Sequence, residues 1–314
     1  MLTDVTGVAV GHWTDEVART GCTVIVLPQG TVASGEVRGG APASRELALL
    51  DPIRTVTTVD AVVLSGGSAF GLAAADGVMS ALEAQGRGFE TRVGVVPIVV
   101  GLSLFDLAVG DAAVRPGPAE GRLALDAAST EAHAVGRVGA GTGATVGKWS
   151  GEPQPGGIGA ATRRAGPVTV SALIAVNAYG FVDDGRSVDD IGPPVRPEVE
   201  PDDDDDDGAD LGQTAGAGSG SSSGETATNT TIGIVATNAR LDKVGCHLLA
   251  QSAHDGLARS LLPAHTAADG DAIVAAATGE VDPAPDDPAG PIDLAHLRLL
   301  AQAAVAAAVR SVAD

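Results

Sequence analysis

The sequence predicts a mixed α/β protein with helices covering the faces of a sheet core. Three observations lead there. Short β-branched runs alternate with Ala/Leu-rich stretches of helical spacing along the whole chain. Of the 314 residues, 44% are apolar and 19% charged, enough for a packed core and too apolar for global disorder. Aromatics are scarce (Phe 4, Trp 2, Tyr 1), so the core must be built from Ala, Val, Leu and Ile.

Taken in order, Cys22–Leu27 (CTVIVL) and Ala61–Leu64 (AVVL) read as buried strands. Ala69–Ala84 reads as a helix, with Leu72, Ala75, Val78, Met79 and Leu82 spaced for one buried face. Val168–Val176 and Thr230–Ala236 are β-rich runs, and Ile273–Ala277 is a weaker one. Helices over Leu241–Leu262 and Ile292–Val312 flank that last strand. Alternation along the Thr230 strand puts Thr230, Ile232 and Ile234 on one face.

Charge excludes some functions. Lys plus Arg number 19 against 40 Asp plus Glu, a net charge of −21. No basic footprint for nucleic acid is present, stacking platforms are few, and anionic membrane surfaces are disfavoured. Ten of the acids lie between Pro197 and Glu225, a stretch without Lys or Arg that includes Asp202–Asp207. Like-charge repulsion and Gly/Ser content predict a solvated, flexible arm over about 197–228. An acidic calcium loop is the sharper alternative, but the alternating ligands and closing Glu are missing. The arm runs straight into the β-branched strand at Thr230, an arrangement suited to a chain cut at that junction.

Two cysteines, Cys22 and Cys246, make neither a disulfide framework nor a four-ligand zinc site. The N-terminus shows no signal-peptide pattern, and the apolar run Gly94–Phe105 is too short to span a bilayer. A reduced, cytoplasmic setting is expected.

The Gly-rich run Gly139–Lys148 fails as a phosphate loop, because Thr142 and Trp149 stand where Gly and Ser/Thr are needed. It fails as a dinucleotide motif at Ala144 and Val146. Ser68 sits in a broken nucleophile elbow, with Phe70 replacing the second glycine. The histidines (His12, His133, His247, His254, His265, His296) form no metal motif, and packing or surface roles are expected for them. No cofactor or metal is implied. Asp269-Gly270-Asp271 places two carboxylates on one side of an extended chain, either as a solvated turn or as a proton-moving pair.

Several ordered motifs together resemble the L-aminopeptidase/D-esterase family, also called P1-family peptidases, and within it the branch of 6-aminohexanoate-oligomer hydrolases. They are Gly7–Trp13, Arg38-Gly39-Gly40, Ser65–Leu72, Gly139–Gly143 through Lys148, Val176-Asn177, Asn229–Asn238 and His265–Asp271. The resemblance implies a four-layer α/β/β/α sandwich, a single domain over 1–314. It implies that the chain cuts itself between Asn229 and Thr230 into 1–229 and 230–314. Thr230 would become an N-terminal nucleophile, with Lys148, Asn177, Asp269 and Asp271 as its active-site companions. Homo-oligomers, often tetramers, are also implied. In the aminopeptidase branch the nucleophile is Ser, a Ser-Gly-Glu stands in place of Asp269-Gly270-Asp271, and a tyrosine follows the Gly-rich run. Here the sole tyrosine is Tyr179.

The expected activity is hydrolysis of small peptides or amide oligomers through an acyl-enzyme. Two rivals stand beside it. One is an acyltransferase of the ornithine acetyltransferase type, which also self-cleaves before a Thr. The other is an uncleaved binding protein without activity.

Overall fold

A computed structural model describes residues 1–183, 192, 194–195, 229–282 and 293–313. The acidic arm expected at 197–228 lies outside the described residues.

The first part of the chain forms β1 (Ala9–Asp15), β2 (Thr20–Val26), β3 (Val32–Val37), β4 (Ala43–Arg45) and β5 (Ala61–Ser65). After α1 (Ala74–Ala84) come β6 (Phe89–Thr91), β7 (Gly94–Val96), β8 (Val99–Ser103) and α2 (Pro118–Asp126). The second part forms β9 (Thr145–Val146), β10 (Gln154–Pro155), β11 (Gly157–Ala165), β12 (Val168–Asn177), β13 (Phe181–Val182) and β14 (Thr230–Ala239). It continues with α3 (Lys243–Ala258), β15 (Leu261–Leu262), β16 (Ala272–Val281) and α4 (Leu294–Arg310).

Two five-stranded sheets dominate, in the orders β1-β2-β5-β8-β4 and β11-β12-β14-β16-β3. Pairing is antiparallel except for β5 with β8 and β14 with β16. One apolar cluster joins the sheets face to face, with Ile25, Val62, Leu64 and Leu102 on one side and Leu173, Ile232, Ile234 and Val274 on the other. The outer face of the first sheet (Val24, Val63, Val99) packs on Val78 and Leu82 of α1 and Leu125 of α2. The outer face of the second (Val170, Val235, Ile273) packs on Leu249 and Leu257 of α3 and Leu297 and Val305 of α4.

Every residue of β14 is buried, as a central strand with both faces covered requires. Its inward Ile232 and Ile234 and outward Val235 follow the period of two read from the sequence.

Element boundaries differ from expectation in several places. The helix predicted over Leu241–Leu262 starts at an Asp242 cap, whose side chain accepts from the Gly245 amide at 2.7 Å, and stops at Ala258. Leu261–Leu262 instead forms β15, because Pro263 pushes the residue before it into extended backbone. Residues Ser68–Ala73 form a 3-10 turn before α1, and the Ile273 strand runs on to Val281.

Strands β1, β3, β8 and β11 carry glycines that mask their pattern. The reason is close helix packing. A Cβ on Gly11 would stand 2.1 Å from the Ala124 carbonyl of α2, and one on Gly159 would stand 1.9 Å from the Ala308 carbonyl of α4. Among the described residues no helix is long and apolar enough to cross a membrane.

Candidate active site

Strand register gathers the site. Asn177, the last residue of β12, is the Cα partner of Thr230, the first residue of β14. The parallel partner of Ile232 is Ala272, so Asp271 sits just before β16 at the same end of the sheet. Asn177, Thr230 and Asp271 thus occupy one end of three adjacent strands. Alternation from Leu173 and Ala175, and from Ile232 and Ile234, turns Asn177 and Thr230 toward the first sheet. Asn177 Nδ2 reaches across and donates to the Phe105 carbonyl at 2.9 Å, just beyond β8.

Lys148 comes from the end of the Gly-rich run. Its ammonium donates to the carbonyls of Thr145 (2.8 Å), Asn177 (3.1 Å) and Ala178 (3.3 Å), and to Asn177 Oδ1 at 3.0 Å. Asn177 Oδ1 also accepts from the Thr145 amide at 2.9 Å. Burial pushes the Lys148 ammonium down to about 7, against the opposing pull of the Asp269 carboxylate. Such a lysine exchanges its proton at neutral pH and is only part-charged there.

The two aspartates do different work. Asp269 accepts from the Tyr179 amide (3.2 Å), the Thr266 amide (3.1 Å) and the Thr266 hydroxyl. Burial, and then the neighbouring Asp271 charge, raise the Asp269 carboxyl above its usual range. Asp271 accepts from the Thr231 amide through Oδ1 at 2.7 Å, while its Oδ2 faces His265 Nδ1 at 2.8 Å. Both aspartates are 1% exposed, so the reading of this tripeptide as a solvated turn is overturned.

The Thr230 hydroxyl donates to the carbonyl of Asn229. Gly270 lies directly over it, since a Cβ there would come within 2.7 Å of Thr230 Oγ1 and of the Ala41 carbonyl. The Arg38–Ala41 backbone clamps the aspartate loop from outside. The Arg38 and Gly39 amides donate to the Asp271 carbonyl at 3.0 and 3.2 Å, and the Ala41 amide donates to the Asp269 carbonyl at 2.8 Å. The Arg38-Gly39-Gly40 motif therefore serves the site by backbone contact.

Thr230 and its four predicted companions, Lys148, Asn177, Asp269 and Asp271, meet around this strand end. Sequence reasoning missed Gly270 as a spacer and His265 as a partner of Asp271. It expected packing or surface roles for every histidine. That holds for His12, which bonds the Thr23 hydroxyl at 2.9 Å, and for His133, which accepts from the Leu2 amide at 3.1 Å. It fails for His265. The available signal was its place six residues before Asp271. Cys22 and Cys246 are buried free thiols, each pushed up by burial to about 12 and so unreactive.

Comparison with known proteins defines the class, a peptidase acting on amide bonds. The model of peptidase family S58 matches residues 1–314, and the chain belongs to that family. It is 44% identical over 298 residues to an uncharacterised aminopeptidase of Mycobacterium leprae, covering 90% of this chain and 79% of that one. It is 31% identical over 283 residues to a 6-aminohexanoate-oligomer endohydrolase of Paenarthrobacter ureafaciens, covering 89% and 75%. Its fold is shared with a β-aminopeptidase of Burkholderia sp. (TM-score 0.69, 24% identity, 99% of this chain and 85% of that one). It is shared also with the L-aminopeptidase D-Ala-esterase/amidase of Ochrobactrum anthropi (TM-score 0.70, 20% identity, 99% and 85%).

Proposed function

We propose that the chain is a self-processing hydrolase of small peptides or amide oligomers, with Thr230 as its N-terminal nucleophile. The observation that carries this is the Thr230 hydroxyl held against the Asn229 carbonyl, at a strand end shared with Asn177 and roofed by Gly270. The packed order of helix pair, sheet, sheet, helix pair supports a four-layer α/β/β/α sandwich, in which 1–229 and 230–314 remain one domain after cutting.

In the precursor the Thr230 oxygen attacks the Asn229 carbonyl carbon. The C–N bond to Thr230 breaks, and the Asn229 acyl group moves to the hydroxyl oxygen. Water then cleaves that ester, leaving an Asn229 carboxylate and a free Thr230 amine. Before the cut no α-amine exists, so another base is required. Lys148, whose ammonium sits on Asn177, the cross-strand partner of Thr230, is the candidate for that role.

After the cut the α-amine, with an ordinary pKa of roughly 7.7–8.0, is a base for its own hydroxyl. Burial lowers the Lys148 ammonium to about 7, which lessens its like-charge repulsion against that amine. The substrate acyl group bonds to Thr230, the amine leaves protonated, and water releases the acid. Asn177, the cross-strand partner of Thr230, is the candidate side-chain N–H donor to the oxyanion, a contribution of roughly 2.7–4 kcal/mol where one such donor has been removed. Asp271 fixes the Thr231 peptide, and Asp269 balances Lys148.

Similarity to an aminopeptidase and to a 6-aminohexanoate-oligomer endohydrolase supports two substrate classes, amino-terminal peptide bonds and 6-aminohexanoate oligomers. A homo-oligomer, a tetramer, and a cytoplasmic setting complete the reading. The test is release of free amine from L-alanine p-nitroanilide and from 6-aminohexanoate trimer. Wild type is expected to hydrolyse at least one, and Thr230→Ala neither. Hydrolysis by Thr230→Ala at the wild-type rate would overturn the assignment.

A further inference from the structure

We propose that His265 is a positioning residue for Thr230, acting through Asp271; this rests on Thr230 being the nucleophile. Asp271 divides its two oxygens between two partners. Oδ1 takes the Thr231 amide at 2.7 Å and so fixes the peptide that follows the nucleophile. Oδ2 takes the His265 amide at 3.1 Å and faces the His265 ring at Nδ1, 2.8 Å away. The carboxylate plane, and with it the Thr230–Thr231 peptide plane, is set by the His265 side.

The ring is itself fixed from behind. Its Nε2 faces the His254 carbonyl at 3.3 Å, and a carbonyl only accepts, so Nε2 carries a proton. The Nδ1–Oδ2 contact at 2.8 Å likewise needs a proton between the two atoms, and with that proton on Nδ1 the bond is charge-assisted. The His254 ring packs edge-on against His265, with centroids 5.0 Å apart, and donates from Nε2 to the Glu36 carbonyl at 3.0 Å. Burial pushes His254 down to about 4, so it is a neutral wall.

The backbone points the same way. His265 takes φ of 56°, a left-handed conformation unusual for a side-chain-bearing residue. The fold holds this conformation, and it delivers both the amide and the ring to one carboxylate oxygen.

Two substitutions separate the donor from the turn. Asparagine tolerates left-handed backbone and offers a side-chain N–H to Asp271. Glycine tolerates the backbone and offers none. Both lose the ring packing on His254. The measurement is kcat and KM of His265→Asn and His265→Gly on the p-nitroanilide or the trimer, per mature molecule counted by intact mass, with Thr230→Ala alongside.

We expect His265→Gly to lose about 10- to 100-fold in kcat with KM unchanged, as loss of a charge-assisted hydrogen bond implies. His265→Asn should recover most of that loss. Equal kcat for the two variants, with Thr230→Ala dead, would overturn the role of His265 alone. Persistent hydrolysis by Thr230→Ala would overturn the nucleophile reading, and the role of His265 with it.

Discussion

Asn177 and Thr230 face one another as cross-strand partners at the terminus of β12 and the start of β14. The same Asn177 side chain takes the Lys148 ammonium at 3.0 Å and donates to the Phe105 carbonyl, just beyond β8 of the other sheet, at 2.9 Å. One residue therefore ties together the strand ladder of Thr230, the lysine loop and the segment that follows the first sheet.

The Lys148 ammonium is held near 7 against an ordinary 10.5, and the sign of its effects follows. On the proposed role as base, it would be charged below about 7 and unable to take the Thr230 proton, and above about 7 it would accept it. Self-scission of precursor made by cell-free synthesis should therefore accelerate from about pH 6 to about pH 8 and then level off. Lys148→Met should abolish this rise along with most of the scission. A rate flat across that range would remove Lys148 as the base. Between about 7 and 10.5 the unfolded chain also binds more protons at this residue, so its contribution to stability rises with pH there.

Asp269 opposes the drop in Lys148. Asp269→Asn removes that negative charge, so the lysine should release its proton at still lower pH. NMR titration of the Lys148 amine in the inactive Thr230→Ala background, with and without Asp269→Asn, checks the direction. A midpoint that stays put or moves up would show that the carboxylate is not the balancing charge.

Gly270→Ala places a methyl 2.7 Å from Thr230 Oγ1 and from the Ala41 carbonyl. Backbone is hard to move, so overpacking of about 1–3 kcal/mol is expected. The cost should fall on chemistry, with scission and turnover slowed at least 10-fold and Tm lowered by a few degrees. Wild-type turnover in this variant would mean that the hydroxyl does not need its present position.

Deep in the inter-sheet core, Ile234 is fully buried among Leu173, Val274 and their neighbours. Ile234→Ala should cost about 2–5 kcal/mol in urea unfolding without altering KM for the folded fraction. A loss under about 1 kcal/mol would mean that the cluster relaxes around the gap.

Much of this was legible in the residues. The β14 run carries its period of two openly, and the Asp269–Asp271 spacing and the Lys148 loop stand out as motifs. Strands β1, β3, β8 and β11 did not, because Gly11, Gly35, Gly101 and Gly159 interrupt the β-branched pattern where neighbouring elements press close. His265 was hidden for another reason. Its role comes from a left-handed backbone and a contact six residues on, neither of which leaves a trace in composition or periodicity. The clamp of Arg38–Ala41 on the aspartate loop is made by backbone amides, which no side-chain pattern records.

The central claim is that the peptide bond between Asn229 and Thr230 is the bond this enzyme cuts in itself. Intact mass spectrometry of the purified active protein tests it in one measurement. Two chains meeting at 229/230, and a single uncut chain for Thr230→Ala, are the expected result. An active wild-type preparation in which that bond is whole would contradict the account.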